Sequence, residues 1–223
     1  MKIYKSNERG TANHGWLKAN HSFSFADYYN PELIGYGALR VLNDDIIAPD
    51  KGFPNHPHDN MEIITIVTKG ELRHEDSTGK KAILTPGWVQ VMSAGSGITH
   101  SEFNHSQTEN LELFQIWIQT GSKDISPRHA EKEFEYLKGW TKVAGDDSLE
   151  INQDAEVSIG LLNEADRINL KPSKGKGIFI MTIEGEFTAN GKLIQRRDAV
   201  SFEEEITLKF KDKTQLLRID VPL

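Results

Sequence analysis

The sequence predicts an all-β fold made of two similar barrels in tandem, and three observations carry that expectation. Apolar residues alternate as they do in strands, turn chemistry recurs at short intervals, and a pattern from the first half of the chain returns in the second.

The alternation is clearest in four stretches. Met61 to Val67 reads Met-Glu-Ile-Ile-Thr-Ile-Val, Trp88 to Met92 reads Trp-Val-Gln-Val-Met, and Leu111 to Gln119 reads Leu-Glu-Leu-Phe-Gln-Ile-Trp-Ile-Gln. The fourth, Gly177 to Ile183, reads Gly-Ile-Phe-Ile-Met-Thr-Ile. All are short and rich in β-branched and aromatic residues, which suit a pleated, half-buried surface. Between such stretches lie Asp76-Ser77-Thr78-Gly79, Thr85-Pro86-Gly87 and Ala189-Asn190-Gly191, residues that favour tight turns. One helix is expected, at His129 to Leu137 after Ser126-Pro127, as a connector.

The repeat aligns Lys69-Gly70-Glu71-Leu72, Gly79-Lys80-Lys81-Ala82-Ile83-Leu84 and Trp88-Val89-Gln90-Val91 with Glu184-Gly185-Glu186-Phe187, Gly191-Lys192-Leu193-Ile194 and Ala199-Val200-Ser201-Phe202. The copies are 111 to 115 residues apart, about half the chain. Two domains are therefore expected, residues 1–125 and 126–223, with the boundary near Gly121 to Ser126.

Composition narrows the function. The 223 residues are 37% hydrophobic and 26% charged, as in ordinary globular proteins. No apolar run approaches the roughly 20 residues that cross a bilayer. The opening Met1 to Gly10 lacks the apolar stretch of an export signal, so a cytoplasmic protein is expected, with no membrane partner. With 26 Lys and Arg against 33 Asp and Glu, the net charge of -7 disfavours a surface that must neutralise a row of phosphates, so no direct nucleic-acid partner is expected. There is no Cys, so a metal would have to be held by His and carboxylate.

Of eight His, seven lie in the first 105 residues. In His56-Pro57-His58 the two imidazoles project to one side of an extended segment that Pro57 keeps extended. His100-Ser101-Glu102 has the same spacing and follows Ser93-Ala94-Gly95-Ser96-Gly97, a Gly-rich turn able to bring the chain back to the first pair. Three neutral imidazoles and one carboxylate suit a divalent first-row metal and leave coordination positions for water or substrate. Spacing leaves two candidates for the carboxylate: Glu102 shares parity with His100, and Glu62 with His56 and His58. In the second copy the repeat offset puts Lys171 and Ser173 opposite His56 and His58, with nothing near Lys209 to Lys213 to replace His100. That half is expected to bind no metal.

The remaining candidates have plainer readings. The segment from His14 through Trp16, His21, Phe23, Phe25, Tyr28 and Tyr29 is expected to pack across a barrel. Arg40 is expected to pair a carboxylate internally, and His74 and His105 to lie in loops. No nucleophile elbow and no dinucleotide-binding glycine pattern is present.

Three segments resemble the pirin family of the cupin superfamily. They are Gly52-Phe53-Pro54-Asn55-His56-Pro57-His58-Asp59-Asn60-Met61-Glu62, Met92-Ser93-Ala94-Gly95-Ser96-Gly97-Ile98-Thr99-His100-Ser101-Glu102, and Asn13-His14-Gly15-Trp16 with His21-Ser22-Phe23-Ser24-Phe25-Ala26-Asp27-Tyr28-Tyr29. The likeness runs through the whole chain and is greatest to short bacterial pirin-like proteins, some described as quercetin 2,3-dioxygenases. It implies two tandem cupin barrels of jelly-roll type. It also implies a single metal in the first barrel, usually Fe, with Mn, Co, Ni, Cu or Zn as alternatives, held by His56, His58, His100 and Glu102. Ser93, where cupins usually have Pro, and two extra residues between Gly95 and His100 depart from the general cupin pattern but are shared with pirins.

The activity implied is oxygen-dependent cleavage of a flavonol such as quercetin, with Glu102 also acting as base toward the substrate hydroxyl. The alternative implied by the same resemblance is a metal- or redox-sensing regulator that offers its acidic surface to a protein partner. A monomer is expected in either case.

Overall fold

The structure is a computed structural model describing residues 1–223. Nearly all of its regular structure is strand, and the one helical segment is a 3-10 turn at Ser6–Glu8. The first half contains β1 (Lys2–Tyr4), β2 (Gly10–Asn13), β3 (Leu17–His21), β4 (Leu39–Ile47), β5 (Gly52–His58) and β6 (Met61–Lys69). It continues with β7 (Leu72–Asp76), β8 (Lys81–Leu84), β9 (Trp88–Ser93), β10 (Ile98–Asn104) and β11 (Leu111–Gln119). The second contains β12 (Arg128–Glu133), β13 (Gly139–Ala144), β14 (Glu156–Leu162), β15 (Arg167–Leu170) and β16 (Lys176–Glu184). It closes with β17 (Phe187–Ala189), β18 (Lys192–Ile194), β19 (Ala199–Phe202), β20 (Ile206–Phe210) and β21 (Thr214–Pro222).

The repeat is visible in the sheet order. A large sheet, β12-β9-β6-β11-β4-β3-β2, and a small one, β5-β10-β7-β8, form the first barrel. In the second, β1-β19-β16-β21-β14-β13 and β15-β20-β17-β18 follow the same plan. One edge strand of each large sheet is exchanged: β12 extends the first barrel beside β9, and β1 extends the second beside β19. Sheet membership therefore does not follow a single cut at residue 125. The exchange covers two edges that would otherwise be open to pairing with another chain.

The expected helix at 129–137 is absent: residues through Glu133 form β12, paired antiparallel with β9 from Arg128↔Ser93 to Glu133↔Trp88, and 134–137 have no regular structure. The Glu and Lys residues of β12 favour a helix only weakly, by tenths of a kcal/mol (~0.5) each, and a ladder along the open edge of β9 outweighs that.

The central strands of the large sheets are buried on both faces. Ile64, Ile66, Val89, Val91, Phe114 and Ile116 pack against Val157, Ile159, Phe179, Met181, Leu217 and Ile219 in one core shared by the two barrels. Each such side chain contributes about 1.5–3 kcal/mol on burial, so the barrels are joined by core packing rather than by a linker. The opposite faces point into the barrel interiors, and there the two halves differ. The second interior is closed by Phe187, Phe202, Phe210, Ile206, Leu208 and their apolar neighbours. The first holds small apolar clusters at either side of a polar centre that includes Asn43, Asp45, Thr65, Gln90, Glu102 and Gln115, all buried.

The ladders also correct the residue correspondence drawn from the repeat. His100 lies opposite His56 and Glu102 opposite His74. In the second barrel the equivalent crossings are Ile206 opposite Leu170 and Leu208 opposite Ala189. The positions of His56, His100 and Glu102 are thus matched by Leu170, Ile206 and Leu208, and Leu170 replaces the Lys171 given by the repeat offset because Leu170 to Lys176 is one residue longer than His56 to Met61.

Candidate metal centre

Local sequence explains how the imidazoles converge. Pro54 and Pro57 keep β5 extended, and the His56 Nδ1–H donates to the Pro54 carbonyl at 2.8 Å, which leaves Nε2 bare and fixes the ring. The turn into β10 needs left-handed backbone, with Gly95 at φ +50° and Gly97 at +136°. A Cβ at Gly95 would come within 2.2 Å of the Ile125 carbonyl oxygen, so glycine is required there for space as well as conformation. Between His100 and Glu102 the β5 ladder slips at a bulge, re-aiming these side chains into the barrel.

The result is a compact group. One ring nitrogen from each of His56, His58 and His100 lies within 4.8 Å of the others, and Nε2 of His58 faces Nε2 of His100 at 3.0 Å. Burial, reinforced by His56, pushes the His58 pKa down to about 4, and burial drives that of His100 far below the ordinary histidine value. The rings of His58 and His100 are therefore neutral at physiological pH, the form that ligates metal. Facing bare nitrogens repel unless a proton or a cation lies between them, so this donor set fits a divalent metal.

Glu102 lines the same small cavity as the three rings, together with Phe25, Asn43, Asp45, Phe53, Gln115 and Trp117. It accepts hydrogen bonds from Gln115 Nε2 at 2.6 Å and Thr65 Oγ1 at 3.3 Å. Burial raises its pKa to about 7 despite these bonds. Glu62, the other sequence candidate, lies elsewhere: its carboxylate accepts from Ser93 Oγ at 2.6 Å and Asn152 Nδ2 at 3.3 Å, beneath the junction of the two halves. The parity argument for Glu62 fails because the chain changes sheets at Asp59-Asn60, with Asn60 at φ +47°, and parity is not carried across.

Several neighbours depart from the sequence reading. His74 is fully buried on β7 rather than in a loop, and its Nε2–H donates to Asp76 Oδ2 at 3.0 Å. Its spacing to Asp76 repeats that of His56 and His58, the signal that could have revealed it. Asp45, on β4, is buried beside the cavity, and burial, then Asp44 and Glu102, push its pKa up to about 8. The aromatic N-terminal segment divides: Phe23 enters the shared core, whereas Phe25 lines the cavity and meets Trp117 edge-on at 5.3 Å. Arg40 does not supply the ion pair expected on β4. Asp44 is instead met by Arg9 and Arg197.

A larger cleft, about 470 Å³, opens between the barrels beside Tyr136, Arg197 and Glu184 but lacks a ligating cluster. The enclosed space at the histidines is only about 60 Å³.

Comparison with known proteins covers both barrels. The Pirin family model matches residues 3–118, and the model for the quercetinase C-terminal cupin domain matches residues 141–221. The chain is 40% identical over 226 residues to quercetin 2,3-dioxygenase of Escherichia coli strain K12, covering 99% of this chain and 98% of that protein. It is 40% identical to a pirin-like protein of Caulobacter vibrioides, with 95% of each chain covered. Among solved structures, bacterial pirin YhhW from Escherichia coli in complex with nickel(II) superposes with a TM-score of 0.95 at 39% identity, covering 99% of this chain and 98% of that one.

Proposed function

The chain belongs to the pirin family, and on that footing we propose that it is a metal-dependent dioxygenase acting on flavonol-like polyphenols such as quercetin. The observation that carries the reading is the convergence of His56, His58 and His100 on one point, with Glu102 lining the same cavity. These four residues would hold the metal, Fe in this proposal, although the donor set also accepts Mn, Co, Ni, Cu or Zn. When bound, the metal supplies a Lewis-acidic centre that holds the substrate's hydroxyl oxygen and makes its proton easier to remove.

Glu102 is suited to receive that proton. A carboxylate beside the substrate hydroxyl can accept its proton, and Gln115 and Thr65 hold the Glu102 oxygens in place. Phe25, Phe53 and Trp117 offer aromatic faces and edges to a flat ring system. The enclosed space is smaller than the ~300–1,000 Å³ usual for a ligand cleft, so only the reacting edge of a flavonol would enter and the rest would lie at the mouth, beside half-buried His56.

The test is oxygen uptake on adding quercetin to Fe-loaded protein. Uptake stoichiometric with quercetin loss, abolished by chelation and by His58→Ala, supports the proposal. Absence of uptake with each of the six metals would refute it and leave the regulatory reading.

A further inference from the structure

Behind the metal cluster, buried polar groups form a chain that the proposed reaction does not use. The side chains of His74 and Asp76 are fully buried. His100 Nδ1 lies 3.4 Å from His74 Nδ1, and His74 Nε2 lies 3.0 Å from Asp76 Oδ2. The second Asp76 oxygen, Oδ1, is committed elsewhere: it accepts from the Thr78 backbone N–H at 2.9 Å, the Thr78 hydroxyl at 2.6 Å and the Lys80 backbone N–H at 3.3 Å. From these contacts we infer that Asp76, acting through His74, is a positioning residue that sets the tautomer of His100 and so keeps His100 Nε2 bare for the metal.

The argument is proton bookkeeping along one line. A carboxylate can only accept, so Oδ2 requires the proton of His74 to sit on Nε2. His74 Nδ1 is then an acceptor and draws the His100 proton to Nδ1. His100 Nε2, facing the other imidazoles, is left with its lone pair. His56 reaches the same state by donating its Nδ1–H to the Pro54 carbonyl. Outer partners of this kind fix ligand orientation and basicity, and their loss usually costs about 10- to 100-fold in metal affinity.

The chain also bears on the neighbouring group of His74, Asp76 and His129, whose potential ligand atoms lie within 4.8 Å of one another. While His74 Nε2 holds its proton toward Asp76, that atom is not available to a metal in this group.

The inference rests on the proposed role of His100 as a ligand, and the variants Asp76→Asn and His100→Ala separate the two. In Asp76→Asn the amide oxygen must replace Oδ1, because three donors point at it, and the NH2 is left facing His74 Nε2. His74 must then carry its proton on Nδ1 and donate to His100 Nδ1, which moves the His100 proton to Nε2 and blocks it. Zinc affinity, read by competition with a chromophoric chelator, should fall about 10- to 100-fold in Asp76→Asn with the circular dichroism spectrum unchanged. It should fall at least as far in His100→Ala.

If His100→Ala binds zinc as the parent does, the metal-site reading fails and takes this inference with it. If His100→Ala loses zinc but Asp76→Asn stays within about threefold of the parent, this inference alone is overturned. Should Asp76→Asn fail to fold, long-range ¹H–¹⁵N spectra of the metal-free parent decide. Protons on His100 Nδ1 and His74 Nε2 support the assignment, and the opposite pair overturns it.

Discussion

Replacing Glu102 by Gln should make the metal-free protein more stable and the metal-bound protein weaker. Burial raises the Glu102 pKa to about 7, against an ordinary value of 4.5. The folded state therefore holds a proton more tightly than the unfolded chain. The associated stability is fully present below pH 4.5 and is lost as pH rises through 7. At about 1.4 kcal/mol per pH unit that loss is about 3 kcal/mol. Gln has nearly the same volume and no charge to desolvate. Its amide oxygen can accept from Gln115, and its NH2 can donate to the Thr65 hydroxyl, which Glu102 already contacts. Urea denaturation of chelator-treated protein should thus show Glu102→Gln equal to the parent near pH 4 and more stable by up to about 3 kcal/mol at pH 8. With metal the order reverses, because the carboxylate supplies charge to the cation and affinity falls at least ~10-fold. Glu62→Gln, remote from the rings, should leave affinity unchanged. A stability difference that does not vary with pH, or unaltered metal affinity in Glu102→Gln, would refute the reasoning.

Three further outcomes are expected. Phe187→Ala opens a cavity in the apolar interior of the second barrel, where the ring is 1% exposed and stacks on Phe210 at 5.7 Å, and should cost about 3–5 kcal/mol in urea denaturation without changing metal stoichiometry. Gly95→Ala forces a Cβ against the Ile125 carbonyl at a positive φ, so a loss of about 1–3 kcal/mol and weaker metal binding should be seen by the same assay and by chelator competition. His129 is held neutral by burial and by His74, with its pKa lowered to about 4 from 6.5. Metal-free protein therefore loses stability as pH falls from 6.5 toward 4, and His129→Phe, which can keep the stacking on His74, should reduce that loss; equal pH profiles would contradict this.

The fold was legible where sequence pattern and burial agree. Met61–Val67 and Leu111–Gln119 form strands because both of their faces are buried, and the repeated Gly70 and Gly185 turns mark equivalent crossings from the large sheet to the small one. His56-Pro57-His58 was legible because proline and parity fix its geometry within one strand. Relations that cross between sheets were not. Glu62 shares sequence parity with His56 but sits on another sheet, and β12 looks helical until the open edge of β9 is known. His74 and Asp76 were hidden by the turn that follows them: Asp76-Ser77-Thr78-Gly79 signals a loop, yet Asp76 both caps that turn with Oδ1 and receives His74 with Oδ2. Asp45 and Gln115, buried polar residues on β4 and β11, became meaningful only once their side chains faced one cavity.

The central claim is that His56, His58, His100 and Glu102 together hold one metal ion, and anomalous diffraction from crystals of the metal-loaded protein tests it most directly. A map calculated from data at the absorption edge should contain one strong peak per chain, within bonding distance of a ring nitrogen of each of the three histidines and of a Glu102 oxygen. A peak at Glu62, at His74, Asp76 and His129, or in the second barrel in place of this one would contradict it.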